Sequence, residues 1–330
     1  MAPTNKAAFY PSDKASSLHV APSPYPTAGP SDVIVRVAAA AVNPVDWKIQ
    51  EVGTAVFPFL QYPLAGGLDV AGTVVEVGSA TSPRGPGRFQ NYVAVPASLA
   101  TPLPATTPFA DAAVLPSGVA TAAVALYQYL GLAHPSLPAR TGTRQTVLIT
   151  AGASSVGSNA IQLAAASGYE VFTTASPRHF AHCAALGASR VFDYHSPTLL
   201  AELQAAFRGK RCAGGLSAVE SSNDLAFAVV GASEGEDRKS VACTILFSQD
   251  GVPANIRADM IHAFHIKDTP LADVVFGTYL PAALETGRYK CEPKPRVVGT
   301  SLEAVQTALD IGKANGVSCE KLVITLAGEA

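Results

Sequence analysis

Hydrophobic spacing changes character twice along the chain. Up to about residue 118, short β-branched runs separated by Pro and Gly recur at 32–41, 72–78 and 89–95, and they predict the strands of a compact β domain. Residues 107–129 turn to helical spacing with many alanines, broken by Pro116, and predict two helices that join this domain to the next. From about Gln145, apolar runs of strand length alternate with helical stretches. Strands are predicted at 146–150, 169–175 and 190–193, helices at 158–167 and 179–187, and a further buried strand at 241–247. That alternation predicts a parallel sheet covered by helices. The tail reads as a helix at 279–286, a Pro-rich extended piece at 291–298, a helix at 301–314 and a last strand at 321–326. We expect it to return to the first domain, so that the second is an insertion and the active site lies in the cleft between the two.

The first strand of the alternating region runs straight into glycine and serine: Val147-Leu148-Ile149-Thr150-Ala151-Gly152-Ala153-Ser154-Ser155-Val156-Gly157. A buried strand, a tight turn at Gly152 and a glycine at 157 that lets the next helix approach the sheet make a nucleotide-binding β-turn-α unit, with backbone N–H groups at the helix start facing a diphosphate. The second strand ends in Ser176-Pro177-Arg178-His179, at about the distance where dinucleotide folds place their ribose-reading residue. That residue is acidic when the cofactor is NAD, and here it is not. Ser176 can donate to a 2′-phosphate, Arg178 can meet it bidentately and His179 can add a donor, which favours NADPH. Ser176 as N-cap and Pro177 as first helical residue give the same letters a purely structural reading, and the two are compatible.

Composition narrows the class of protein. The chain has 330 residues, 48% hydrophobic and 15% charged, enough for two domains with substantial cores. A net charge of -2 without a recurring basic cluster argues against nucleic acid or an anionic membrane as partner. No run reads as a membrane span and the start lacks a signal h-region, so the expected location is cytoplasmic. Cys183, Cys212, Cys243, Cys291 and Cys319 are odd in number and form no C-x-x-C pair, which fits reduced thiols.

Four segments in order resemble the medium-chain dehydrogenase/reductase superfamily of the zinc-independent kind. They are Ala40-Ala41-Val42-Asn43-Pro44-Val45-Asp46-Trp47-Lys48, Gly67-Leu68-Asp69-Val70-Ala71-Gly72-Thr73-Val74, the turn from Ala151 to Gly157, and Gly316-Val317-Ser318-Cys319-Glu320-Lys321-Leu322-Val323. Leu115-Pro116-Ser117-Gly118-Val119-Ala120-Thr121-Ala122 is similar at the domain junction. Thr-Ala-Ser-Pro-Arg-His-Phe at 174–180, Val-Phe-Asp-Tyr-His at 191–195 and Val-Phe-Gly-Thr at 275–278 most resemble the trans-acting enoyl reductases of fungal highly reducing polyketide synthases. The resemblance implies an α/β fold: a Rossmann doubly wound parallel sheet, 126–274, binding NADP(H), inserted into a GroES-like β-barrel substrate domain, 1–125 with 275–330. It also implies an acyl or polyketide-type substrate, with the acyl-carrier domain of a synthase as a partner.

Zinc-dependent relatives need Cys or His ligands in the first two segments. Here Asn43 precedes Pro44 and Leu68 follows Gly67, and His134, His262 and His265 are too scattered to replace them, so no metal is expected. Conjugate reduction suits such a site, because hydride delivered to the β-carbon leaves negative charge on a thioester oxygen that hydrogen-bond donors can hold. By resemblance, Lys48 and Thr121 carry that role, Lys48 stabilising the enolate or delivering a proton; a surface lysine on a turn is the plain alternative. Asp46 orders its loop by an Asx-type bond. The same resemblance puts Val45, Asp46 and Lys48 along the cofactor, and Ala153, Ser154, Ser155 and Val156 at the diphosphate. Tyr194 falls near the adenine, Leu246 and Phe247 border the nicotinamide, and Val317 and Ser318 close the site. Val124 and Ala125, with Val274, Val275, Phe276, Gly277 and Thr278, line the acyl channel. Phe247 and Phe276 also read as ordinary core aromatics.

Two departures complicate the reading. Between Ser79 and Phe89 a strand and loop of the barrel are missing, so the barrel closes differently or leaves an edge open. The fourth strand of the nucleotide domain reads Ala213-Gly214-Gly215-Leu216-Ser217, where glycines weaken a strand. The expected activity is NADPH-dependent reduction of a carbon–carbon double bond in a polyketide enoyl thioester. A non-redox cyclase or ligand-binding protein on the same fold, and a free-standing quinone or enone reductase, are the alternatives.

Overall fold

The computed structural model describes residues 3–79, 89–235, 239–245 and 247–326. The chain divides into two units, Met1–Ser117 with Cys291–Ala330, and Gly118–Lys290.

In the first unit, β1 (Asn5–Tyr10) pairs antiparallel with β2 (His19–Ser23) and β4 (Leu64–Ala65). A second sheet is built around the ten-residue β3 (Asp32–Ala41). One edge of β3 pairs along its length with β5 (Asp69–Val77). The other edge is shared, Asp32 to Arg36 pairing with β6 (Tyr92–Pro96) and Ala39 to Ala41 with β14 (Glu320–Thr325). Strand β13 (Lys294–Gly299) runs parallel to β14 outside it. Because β3 has partners on both edges, it is buried along nearly its whole length. Helices α2 (Phe109–Ala112) and α9 (Ala304–Lys313), the latter with Val305, Ala308 and Leu309 on one face, pack on this sheet, and α1 (Pro44–Val52), which follows β3 directly, packs on α9. The core gathers Tyr10, Phe89, Val35, Val93, Leu309, Leu322 and Ile324. Phe89 packs in this core and is bonded to the first sheet, its N–H donating to the Gly66 carbonyl (2.7 Å) and its carbonyl accepting from Ala8 N–H (2.9 Å). The expected shortening of the barrel falls largely on residues 80–88, which lie outside the described residues.

The second unit begins within α3 (Pro116–Ala123), which follows a short α2 (Phe109–Ala112) and continues as π-helical turns through Val124–Tyr129. Six parallel strands then form one sheet in the spatial order β12-β11-β10-β7-β8-β9. These are β7 (Gln145–Ile149), β8 (Glu170–Ala175), β9 (Arg190–Asp193), β10 (Arg211–Ser217), β11 (Lys239–Cys243) and β12 (Ile256–Met260). They are connected by α4 (Ser155–Ala166), α5 (Phe180–Ala185), α6 (Leu199–Phe207) and α7 (Asn223–Ala232). Read from β9, the order of succession is 3-2-1-4-5-6, so the sheet is doubly wound and reverses direction between β7 and β10. Phe172, Phe192, Leu203, Phe207, Phe227 and Val241 form its core.

Several expectations need correction. The division falls at Ser117 and Lys290 rather than at 125 and 274. The helix through Tyr127 is fastened inside the second unit, where the Tyr127 hydroxyl meets Ser167 Oγ (3.0 Å). Likewise Asp273–Tyr279 and α8 (Leu280–Glu285) lead to Tyr289, which donates to Asn159 of α4 (2.7 Å). The doubtful fourth strand forms in full as β10, between β7 and β11. Its glycines are required: Gly214 sits at a register shift with φ +122°, and a Cβ on Gly215 would lie 2.9 Å from Val230 of α7. Strand β11 ends at Cys243, short of 247. One helical run, Phe109–Tyr129, does reach spanning length and apolarity, but most of it is buried inside the protein, as in a core helix.

Candidate active site

In the second unit the turn after β7 lies at the carboxyl end of the sheet, beside its point of reversal, where doubly wound folds bind ligands. The left-handed residue of the turn is Ala151 (φ +51°), not Gly152. Gly152 is needed for space instead, since a Cβ there would stand 2.3 Å from Thr173 Oγ1. Ala151 N–H donates to Thr174 Oγ1 (3.0 Å), tying the turn to β8. Helix α4 starts at Ser155, three residues earlier than expected, because Ser154 caps it by accepting from Gly157 N–H (3.0 Å). Gly157 is obligatory: a Cβ would lie 2.2 Å from the Ala151 carbonyl oxygen. Ala153, Ser154, Ser155 and Val156 are therefore gathered, half-buried, around the first turn of a twelve-residue helix. Ser155 Oγ is a buried hydroxyl without a hydrogen-bond partner among the described residues. A cradle only glycine can form, an orphaned hydroxyl and a helix N-terminus together suit a dinucleotide diphosphate.

One strand over, the residues following β8 and β9 converge. Ser176 donates to the Tyr194 hydroxyl (2.9 Å), and Tyr194, half-exposed, lies on the His195 ring (centroids 4.1 Å apart). Arg178 is exposed, and its Nε donates to His179 Nε2 (3.2 Å). Burial and the neighbouring guanidinium hold the His179 pKa below its ordinary value. His179 thus accepts at Nε2, and in the neutral imidazole Nδ1 is the nitrogen that carries the proton. The hydrogen bonds just given join two hydroxyls, and a guanidinium to an imidazole.

Other predicted residues are distributed as follows. Leu246 lies outside the described residues. Phe247 packs on Phe227 (centroids 5.8 Å apart) against the core. Within the π-helical turns, Val124, Ala125, Val275 and Phe276 are buried, Val274 is half-buried, and Gly277 and Thr278 are exposed. Thr121 is half-buried on α3. Two residues that the sequence did not single out carry buried polar atoms without partners among the described residues, Asn223 Oδ1 at the start of α7 and Thr244 Oγ1 just after β11. A lone Asn or Thr in an apolar run gives no signal of this kind.

In the first unit, Lys48 is half-buried on α1, with its ammonium 5.7 Å from the centre of the Trp47 ring. Val45 is half-buried beside it; Val317 packs on the core and Ser318 is exposed. Asp46 differs from its expected part. It is 1% exposed, and instead of an Asx turn its carboxylate accepts the Asn43 N–H (2.7 Å) across the start of α1, leaving it enclosed rather than along a cofactor. Burial pushes its pKa up to about 7, with Asp69 adding repulsion and the Asn43 N–H, Lys321 and Gly67 opposing. Asn43 is held by two more partners: its Nδ2 donates to Asp69 (2.9 Å), and its Oδ1 accepts from Lys321 (2.5 Å). Asp69 and Lys321 were passed over in the sequence because their partners are distant along the chain.

Residues 29–87 match the alcohol dehydrogenase GroES-like domain. Dehydrogenase azaJ of Aspergillus niger is 43% identical over 350 residues, covering 98% of this chain and 99% of its own. Trans-enoyl reductase himH of Aspergillus japonicus is 36% identical over 347 residues, covering 98% and 97%. Among solved structures, the CurK enoyl reductase is similar in fold, with a TM-score of 0.76 at 19% identity over 98% of this chain and 99% of that one. With end-to-end relatives at such identity, a GroES-like segment and a sheet in 3-2-1-4-5-6 order, the chain belongs to the medium-chain dehydrogenase/reductase superfamily, oxidoreductases that work with a nicotinamide cofactor.

Proposed function

We propose that the protein uses NADPH to reduce a carbon–carbon double bond in an enoyl thioester intermediate of polyketide biosynthesis. One observation carries the choice of cofactor: the hydroxyl and guanidinium group of Ser176, Tyr194 and Arg178 stands where an NAD site needs a carboxylate. The substrate class draws on relatives named trans-enoyl reductases, at 36% identity in Aspergillus japonicus and 31% in Aspergillus flavipes. Bound NADPH supplies the hydride for the β-carbon of the substrate. The first turn of α4, with Ser154 to Val156, holds the diphosphate, and Arg178 neutralises the 2′-phosphate. Lys48 stabilises the charge that builds on the thioester oxygen and passes a proton to the α-carbon, while Thr121 adds a hydrogen bond. Zinc independence is part of the proposal: the amide oxygen of Asn43 is already taken by Lys321, and Leu68 offers no side-chain lone pair. An acyl-carrier domain delivers the thioester, and the reaction takes place in the cytoplasm.

The test mixes the protein with NADPH and a crotonyl thioester, carried either on an acyl-carrier domain or on a small thiol. Equimolar loss of NADPH and appearance of the saturated thioester support the proposal. Consumption of NADPH by quinones or free enones alone would assign the protein to small electrophiles, and turnover of an acyl substrate without NADPH loss would make it a non-redox enzyme.

A further inference from the structure

The buried polar group of the first unit does more than cap one helix. Asp69 is 0% exposed and its carboxylate takes four donors: Ser117 N–H (2.7 Å), Ser117 Oγ (2.6 Å), Asn43 Nδ2 (2.9 Å) and the Lys321 ammonium (3.2 Å). Lys321, on β14, is 4% exposed and also donates to Asn43 Oδ1. An enclosed ion pair is poor evidence for a contribution to stability, because apolar residues of similar volume often serve as well. What this pair achieves is registration. It joins β14, β5, the start of α1 through Asn43 and the first turn of α3 through Ser117, segments that no local sequence pattern brings together.

Resting on the reading of Lys48 as the group that meets the substrate, we propose that Lys321 and Asp69 are positioning residues for Lys48. Asn43 is the intermediary, bonded to both, and Lys48 follows it by little more than one helical turn. The charges explain the dependence. Asp69 and Asp46, the latter only partly ionised near neutral pH, are enclosed with the Lys321 ammonium, and without it Asp69 holds an uncompensated buried charge beside Asn43. The strands are held by their ladders, so the start of α1 is what gives way.

The chain's single tryptophan, Trp47, adjoins Lys48 on α1 and packs close to Gly312 of α9, so its emission reports where this helix lies. The experiment compares wild type, Lys321→Met and the double variant Lys321→Met/Asp69→Asn by Trp47 emission, acrylamide quenching and steady-state kinetics. In Lys321→Met, with cooperative unfolding retained, we expect a red shift, stronger quenching and a kcat about tenfold lower, with KM for NADPH changed less than about twofold. The double variant removes the unpaired charge, and the freed Asn43 amide can turn its oxygen to the introduced amide, so both signals should largely recover. Unchanged Trp47 signals in Lys321→Met, or no recovery in the double variant, would overturn the proposal. Should Lys321→Met fail to fold, Asp69→Asn reads the same quantities. If wild type reduces no enoyl thioester, the functional reading falls, and the Trp47 signals still decide whether Lys321 and Asp69 place α1.

Discussion

Arg178 offers the sharpest test of the cofactor assignment. A guanidinium facing a doubly charged phosphate is worth far more to NADPH than to NADH, so Arg178→Ala should weaken NADPH by about tenfold or more and leave NADH nearly unchanged in calorimetric titration. Equal losses for both would remove the 2′-phosphate site from this position. Lys48→Ala should lower kcat by roughly a hundredfold while KM for NADPH stays within about threefold, as for a group that acts mainly in the transition state. Asp46 makes a prediction about pH. Its folded pKa of about 7 lies above the ordinary carboxylate value, so the stability it contributes is present below about pH 4 and is lost as pH rises through about 7. The stability of wild type relative to Asp46→Asn should therefore fall over that window, by at most about 4 kcal/mol for a shift of three units, as measured by urea unfolding at several pH values. Ser176 and Arg178 could be singled out in the sequence because the role proposed for them depends on distance along the chain from a glycine turn. Asn43 and Lys321 are 278 residues apart, and nothing local marks them as partners.

Helix α4 shows how an element can be foreseen in kind and still differ in detail. Alanine spacing announced the helix, but its start was set by a cap, Ser154 to Gly157, and by the clearance beneath Gly157. Gly157→Ala places a methyl group 2.2 Å from a backbone oxygen that cannot rotate away. It should cost about 1–3 kcal/mol in thermal or urea unfolding. Unaltered stability would mean that the turn and helix are less tightly apposed than this geometry requires. Strand β10 is the opposite case, since its glycines argued against a strand while their small size is what allows the bulge and the close seating of α7. Glycine in a sequence signals either a weak element or a crowded one, and the neighbours that distinguish the two are not adjacent in the chain.

Taken whole, the protein should respond to its cofactor as a single binding equilibrium. NADPH at a hundred times its Kd should raise the unfolding free energy by about 2.7 kcal/mol, and Arg178→Ala at the same concentration should show a much smaller gain by calorimetric scanning. The doubly wound sheet could be read from the chain because strand and helix periodicities are local, and each alternation of the two constrains the connection that follows. The turn proposed to hold the cofactor could be singled out for the same reason, as its pattern is held in eleven consecutive residues, 147–157. The division at Ser117 and Lys290, the burial of the apolar Phe109–Tyr129 helix and the enclosure of Asp46, Asp69 and Lys321 were not. They depend on which distant segments exclude water from one another, and that follows from packing between elements rather than from the order of residues within them.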